Sequence, residues 1–203
     1  MQVFGNQNNP SVLVIGVFHG DEPQGEFLIN EYLKNVKNSN LLFVPRLNSE
    51  NTRVNKNGVD LNRNFPTSNW ELTEKNEFFG GIAPASEEET KFVINLVEKY
   101  NPNVILTLHA PYKIVNYDGG KASLEIVEKI SEIMNYPIEP SIGYPTPGSF
   151  GTWAGIEKGI LTITLELDEE IDINELKKPV FKLFEYMEGI ESLIQMKLLK
   201  KVI

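Results

Sequence analysis

Four stretches of this chain are mostly apolar: Val12 to Val17, Leu41 to Val44, Val104 to Leu108 and Ile160 to Leu167. Short runs of this kind, rich in Val, Ile and Leu, predict strands that are covered on both faces. Between them the apolar positions take helical spacing. Pro23 to Val36 places Phe27, Leu28, Tyr32 and Leu33 near one stripe. Ser86-Glu87-Glu88-Glu89 has the form of a capping box and opens a helix carrying Phe92, Val93, Leu96 and Val97. Leu124 to Met134 predicts a third helix, and Asp172 to Leu199 a mostly helical end with a start or kink at Pro179. Strands alternating with helices predict an α/β/α sandwich around a mixed, largely parallel sheet.

Two stretches interrupt the alternation. Arg46 to Ala85 is rich in Asn, Gly and Pro, and Pro137 to Gly151 holds four prolines and three glycines. Long irregular segments inside compact domains are usually functional or disordered. No internal repeat or low-complexity segment stands out.

Composition narrows the classes. A length of 203 residues predicts a single domain with one large core. A hydrophobic content of 41% and a charged content of 23% are ordinary for a soluble globular protein. The net charge of −9, from 28 acidic and 19 basic residues, argues against a nucleic-acid partner, which needs a basic surface. It leaves room for anionic ligands, because a few arginines in a cleft reverse the local field. The N-terminal residues lack the basic and apolar regions of a signal peptide, and no apolar run approaches the roughly 18 residues of a membrane span. The absence of cysteine removes any disulfide framework and fits a cytoplasmic location.

In open α/β sheets, ligands bind beyond the carboxyl ends of the strands. The chain's two histidines both lie there. His19 and Glu22 form an H-x-x-E just after the first apolar run, and Gly16 and Gly20 flank His19 and allow close backbone approach. His109 ends the run Val104 to Leu108. Two nitrogens and one carboxylate, with a fourth position open, make the donor set of a catalytic zinc. A bare H-x-x-E is common, however, and by itself reads as a loop histidine beside a helix-start glutamate.

Glu166 ends the last run, sharing a strand face with Thr162 and Thr164. A carboxylate on a buried strand needs a partner or a task, whereas a strand-end charge reaching solvent needs neither. Arg53 and the run Gly58-Val59-Asp60-Leu61-Asn62-Arg63-Asn64-Phe65-Pro66 supply cations. Arg63 with Asn62 is suited to clamp a carboxylate, and Arg53 to stabilise an oxyanion. Each arginine alone reads as an ordinary surface charge before it reads as a site residue. Gly143 to Trp153 reads either as a rigid Pro/Gly loop or as a lid bearing the Tyr144 hydroxyl. Asp21 is the nearby candidate to orient the His19 ring.

In order, H-x-x-E, Arg, N-R, His, Tyr and Glu resemble the zinc metallocarboxypeptidase family over residues 19 to 166. The resemblance implies that His19, Glu22 and His109 hold one Zn²⁺. Glu166 is then the general base, Arg53 polarises the scissile carbonyl, Asn62 and Arg63 grip a free carboxylate, and Tyr144 closes over the substrate. The runs G-V-D-L-N-R-N-F-P and G-Y-x-T-P-G-S-F-G-T-W are most similar to the branch acting on murein peptides. That branch implies cleavage of the γ-D-Glu–meso-diaminopimelate bond of a murein tripeptide during cytoplasmic recycling, by a homodimer. By the same resemblance Ser149, Gly151 and Thr152 line the specificity pocket.

Two departures from the family stand out. The chain is short, which implies trimmed loops and a more open cleft, and the segment before Arg53 lacks the usual N-P-D-G turn. Alternatives are another metallocarboxypeptidase specificity, or a zinc deacylase of N-acyl amino acids like succinylglutamate desuccinylase and aspartoacylase. A metal-free binding protein on the same fold ranks last.

Overall fold

The computed structural model describes residues 1–36, 39–119, 124–139 and 145–192. Its centre is a six-stranded sheet in the order β1-β3-β2-β4-β6-β5. The four inner strands are parallel: β3 (Leu41–Val44), β2 (Val12–Gly16), β4 (Val104–His109) and β6 (Leu161–Glu166). They correspond to the four apolar runs and are almost wholly buried. The edges, β1 (Phe4–Gly5) and β5 (Ile114–Asp118), are antiparallel. Neither edge strand was expected from the hydrophobic pattern.

Because successive side chains point to opposite faces, each inner strand feeds two cores. Val12, Val14, Leu41, Phe43, Leu106, Ile163 and Leu165 pack against α1 (Gln24–Asn35), α3 (Leu124–Met134) and α4 (Ile173–Glu188). Leu13, Ile15, Leu42, Val44 and Ile105 face α2 (Glu88–Tyr100) and a π-helical segment, Gly151–Glu157, carrying Trp153 and Ala154. The result is the expected mixed α/β sandwich.

Two local expectations are corrected. Ser86 does not cap α2: the cap position is Glu87, with no side-chain cap bond. The Ser86 hydroxyl instead donates to Glu87 at 2.6 Å and accepts from Asn64 at 3.0 Å, so loop contacts have taken it from the helix. Pro179 is neither start nor break. The helix begins at Ile173, where Asp172 accepts from the Asn174 N–H at 2.8 Å, and runs through Pro179 on a buried face of Leu176, Val180, Leu183 and Phe184. α4 ends at Glu188 and helix resumes at residues 190–192; the rest of the expected helical end, to Leu199, lies outside the described residues.

The turn after β2 is built for close approach. A Cβ at Gly16 would lie 2.4 Å from the Pro45 carbonyl, and one at Gly25 would lie 3.0 Å from Gly16 Cα, so the start of α1 sits directly on the strand end. Val17 takes φ +56, a costly conformation for a β-branched residue. The Asn48 N–H to Val17 carbonyl bond (2.9 Å) and the Leu47 N–H to Gly16 carbonyl bond (3.2 Å) hold it. That turn aims His19 and Glu22 over the sheet's carboxyl edge.

Candidate active site

β2, β4 and β6 deliver His19, His109 and Glu166 to one rim, with His109 and Glu166 directly paired across the ladder. His19, Glu22 and His109 offer ligand atoms that all lie within 4.8 Å of one another. Both histidines turn Nδ1 toward Glu22, His19 at 2.8 Å from Oε1 and His109 at 3.0 Å from Oε2. Phe18 stacks on the His109 ring with centroids 5.4 Å apart and fixes its plane.

The remaining nitrogen of His19 meets Asp60 Oδ1 at 3.1 Å. Asp60 is wholly buried, and its other oxygen accepts from an Arg53 guanidinium nitrogen at 2.8 Å. Asp60, and not Asp21, therefore orients the imidazole. The Asp21 side chain, though close in sequence, is exposed. The Asp60 carboxylate also accepts the Asn62 N–H at 2.8 Å, so one side chain ties the D-L-N-R turn to the metal-ligand candidates.

The electrostatics are those of a site built around a cation. Burial alone depresses His19, but its hydrogen bonds to the Asp60 and Glu22 carboxylates outweigh it and raise the pKa to about 9. Burial raises Glu22, yet bonds from His109 and His19 hold it at about 2. Asp60 lies far below the ordinary carboxylate range: burial opposes this, but the His19 bond and the neighbouring Arg53 and Arg63 charges prevail. Glu166 goes the other way. Burial raises it, and Glu22 adds to the rise, against the pull of His109, His19 and a Tyr112 backbone N–H. Its Oε2 is buried with no hydrogen-bond partner among the described residues.

Zinc fits these residues. Two imidazole nitrogens and one carboxylate oxygen converge, the far nitrogen of one ring is fixed by a carboxylate, and an unsatisfied glutamate oxygen stands nearby.

Arg53, Asn62, Arg63 and Tyr112 line the same cavity of about 110 Å³ as His19, Glu22, His109 and Glu166. Arg63 is buried at 5% exposure, an unusual position for a residue that is normally solvated. It donates to the Asn62 carbonyl at 2.7 Å, while the Asn62 side-chain oxygen accepts the Phe150 N–H at 2.8 Å. Tyr144 lies outside the described residues. Ser149 and Thr152 bond to each other at 2.9 Å at the start of the π-helical segment. Sequence reasoning missed Asp60 and Tyr112. The position of Asp60 just ahead of Asn62 and Arg63 was the available signal for the first, and no signal marked Tyr112.

Comparison with known proteins agrees with this geometry. The family described as zinc carboxypeptidase matches residues 3–138. Murein peptide amidase A of Vibrio campbellii (strain ATCC BAA-1116) is 30% identical, over 79% of this chain and 71% of that protein. Its Escherichia coli (strain K12) counterpart is 34% identical over 50% of this chain, a match that spans 46%, about half, of that protein's length. The crystal structure of murein-tripeptide amidase MpaA from Escherichia coli O157 superposes with a TM-score of 0.78 at 27% identity, covering 92% of this chain and 85% of that one. Carboxypeptidase A from Helicoverpa armigera shares the fold, with a TM-score of 0.71 at 17% identity over 90% of this chain and 60% of that one. The chain belongs to the zinc carboxypeptidase family.

Proposed function

We propose that this chain is a zinc-dependent hydrolase that cleaves an amide bond next to a free carboxylate, and that the bond is γ-D-Glu–meso-diaminopimelate in a murein peptide. The observation that carries the reading is the buried cluster of His19, Glu22 and His109 with Glu166 and Arg63 in one cavity. The names of the relatives, murein peptide amidase A, support the substrate class.

One Zn²⁺ per chain is held by His19, Glu22 and His109; when bound it supplies Lewis acidity that activates water near neutral pH and polarises the carbonyl. Glu166, raised by burial, accepts the proton of the attacking water and passes it to the leaving amine. Water adds across the C–N bond, giving a carboxylic acid and a free amine. Arg53, held by Asp60, stands ready for the oxyanion. Arg63 pairs with the substrate carboxylate, Asn62 shapes that clamp through its bond to Phe150, and Tyr144 closes over the substrate. The reading carries with it a cytoplasmic recycling role and a homodimer, to be checked by cell fractionation and light scattering.

The test is hydrolysis of L-Ala-γ-D-Glu-meso-diaminopimelate followed by mass spectrometry. Free diaminopimelate that disappears on chelation and returns with zinc is expected. A zinc-loaded protein that leaves this peptide intact but cleaves N-acyl amino acids is a deacylase instead. Glu166→Gln should retain zinc and lower kcat by about 10² to 10⁴; full activity in that variant removes Glu166 from the base role.

A further inference from the structure

Residues 46–53, where the chain departs from the family's usual turn, form no helix or strand but are densely hydrogen-bonded. Arg46 is the hub of those bonds. Its side chain is 20% exposed, and its guanidinium reaches four groups. One terminal nitrogen donates to Glu26 Oε2 of α1 at 2.7 Å. The other lies among three acceptors: the Glu50 carbonyl at 2.9 Å, Asn51 Oδ1 at 3.0 Å and the Gly20 carbonyl at 3.3 Å. Gly20 sits between the metal-ligand candidates His19 and Glu22. One side chain therefore reaches both that turn and the loop that leads into Arg53.

Turn and loop meet with little slack. A Cβ at Gly20 would collide with the Glu50 carbonyl, and the Gly20 N–H donates to the Thr52 carbonyl at 2.9 Å. Asn48, wholly buried, donates to the Thr52 and Arg53 carbonyls at 3.2 Å each and accepts the Glu50 N–H at 3.0 Å. Asn48 holds the inner side of the loop and Arg46 the outer side. Arg53 leaves this loop toward Asp60 and the reaction cavity, whose lining includes neither Arg46 nor Asn48.

Resting on the amide-hydrolase reading above, we propose that Arg46 is a positioning residue for the reaction: it locks the Arg53 loop to the metal-ligand turn and so sets the Arg53 guanidinium where the oxyanion forms. The planar fork of arginine can hold Glu26 and the carbonyls together, whereas lysine brings a single nitrogen. Displacing a reacting group by about 1 Å can cost roughly 10²-fold in rate. The loss falls on kcat, because the charge that Arg53 meets develops in the transition state.

The test is a double-mutant cycle on zinc-loaded protein with L-Ala-γ-D-Glu-meso-diaminopimelate, measured with enzyme in excess so that slow variants are readable. Arg46→Lys in the parent should lower kcat by about tenfold or more and leave KM within about twofold. In the Arg53→Ala background the same change should alter kcat by no more than about twofold, because Arg46 acts through Arg53. An equal fall in both backgrounds makes Arg46 a general support of the fold and overturns the proposal, as does a parental kcat in Arg46→Lys. If Arg46→Lys does not fold, Glu26→Gln decides the matter. It leaves Arg46 in place, removes the charge that orients it, and should give the same pattern at about threefold. An equal effect in both backgrounds, or none in the parent, overturns the proposal there too. If the parent leaves the peptide intact, the hydrolase reading fails first. Hydrogen exchange of the Gly20 amide, followed by NMR, then judges the lock: faster exchange in Arg46→Lys with strand amides unchanged supports it, and equal exchange refutes it.

Discussion

Asp60 holds two cations at once, the ring of His19 on one oxygen and the guanidinium of Arg53 on the other. Asp60→Asn keeps the shape and removes the charge, so zinc affinity should fall about 10- to 100-fold, read by competition with a chelating dye. The raised pKa of His19 carries a second consequence. In the metal-free protein its pairing stabilises the fold below pH 6.5 and is lost as pH rises through about 9. Metal needs the neutral ring, so zinc binding near pH 7 should release a proton and tighten as pH rises toward 9. Calorimetry in buffers of different ionisation enthalpy reads that proton, and identical apparent enthalpies would contradict it. His19, Glu22, His109 and Glu166 were legible as candidates because each sits at or just past the end of an apolar run. Asp60 was not, because the partner of an imidazole nitrogen 41 positions away is chosen by the fold and not by proximity.

At the scale of elements, the long segment from Arg46 to Ala85 is held by side-chain amides more than by regular structure. Among its described residues the only helix is the 3-10 turn Leu61–Arg63. Asn64, wholly buried, donates to the Gly80 and Ala83 carbonyls at 2.7 and 3.1 Å and accepts the Glu87 N–H at 3.1 Å. Asn64→Ala leaves those groups unpaired in the interior and should cost about 1–3 kcal/mol or more. A urea titration should show a lower midpoint in both zinc-free and zinc-loaded protein, since the defect is in the loop. The sequence marked this segment as irregular and Asn-rich, but the pairing of each amide depends on which strands and helices surround it. The same engagement explains why the capping-box pattern at Ser86 misled: its hydroxyl had a nearer use.

For the whole molecule, the inner parallel strands were readable because burial on both faces forces continuous apolar runs. The edge strands were not, since β1 is two exposed residues and β5 mixes apolar with polar positions. β5 nonetheless completes the face that carries Glu166. The rim gathers its metal-ligand candidates from β2, the turn before α1, and β4, so occupying it ties sequence-distant parts of the sheet together. Zinc at 100 times its Kd should therefore stabilise the native state by about 2.7 kcal/mol and raise Tm by roughly 5–10 °C. His109→Ala should abolish that rise in a thermal melt, and a rise of the same size in the variant would show that the zinc responsible binds elsewhere.

The amide stitching of the long loop also gives the protein a chemical age. Asn57 precedes Gly58 in an exposed turn, and its side-chain nitrogen donates to Glu87 at 2.7 Å. Asparagine followed by glycine is the pair that most readily sheds ammonia, since the next backbone nitrogen attacks the side-chain carbonyl with little in its way. Deamidation here turns a donor facing Glu87 into a second carboxylate, replacing attraction with repulsion three residues before Asp60. The oldest molecules in a preparation would then be those whose arginine and metal-ligand candidates have begun to lose their common anchor.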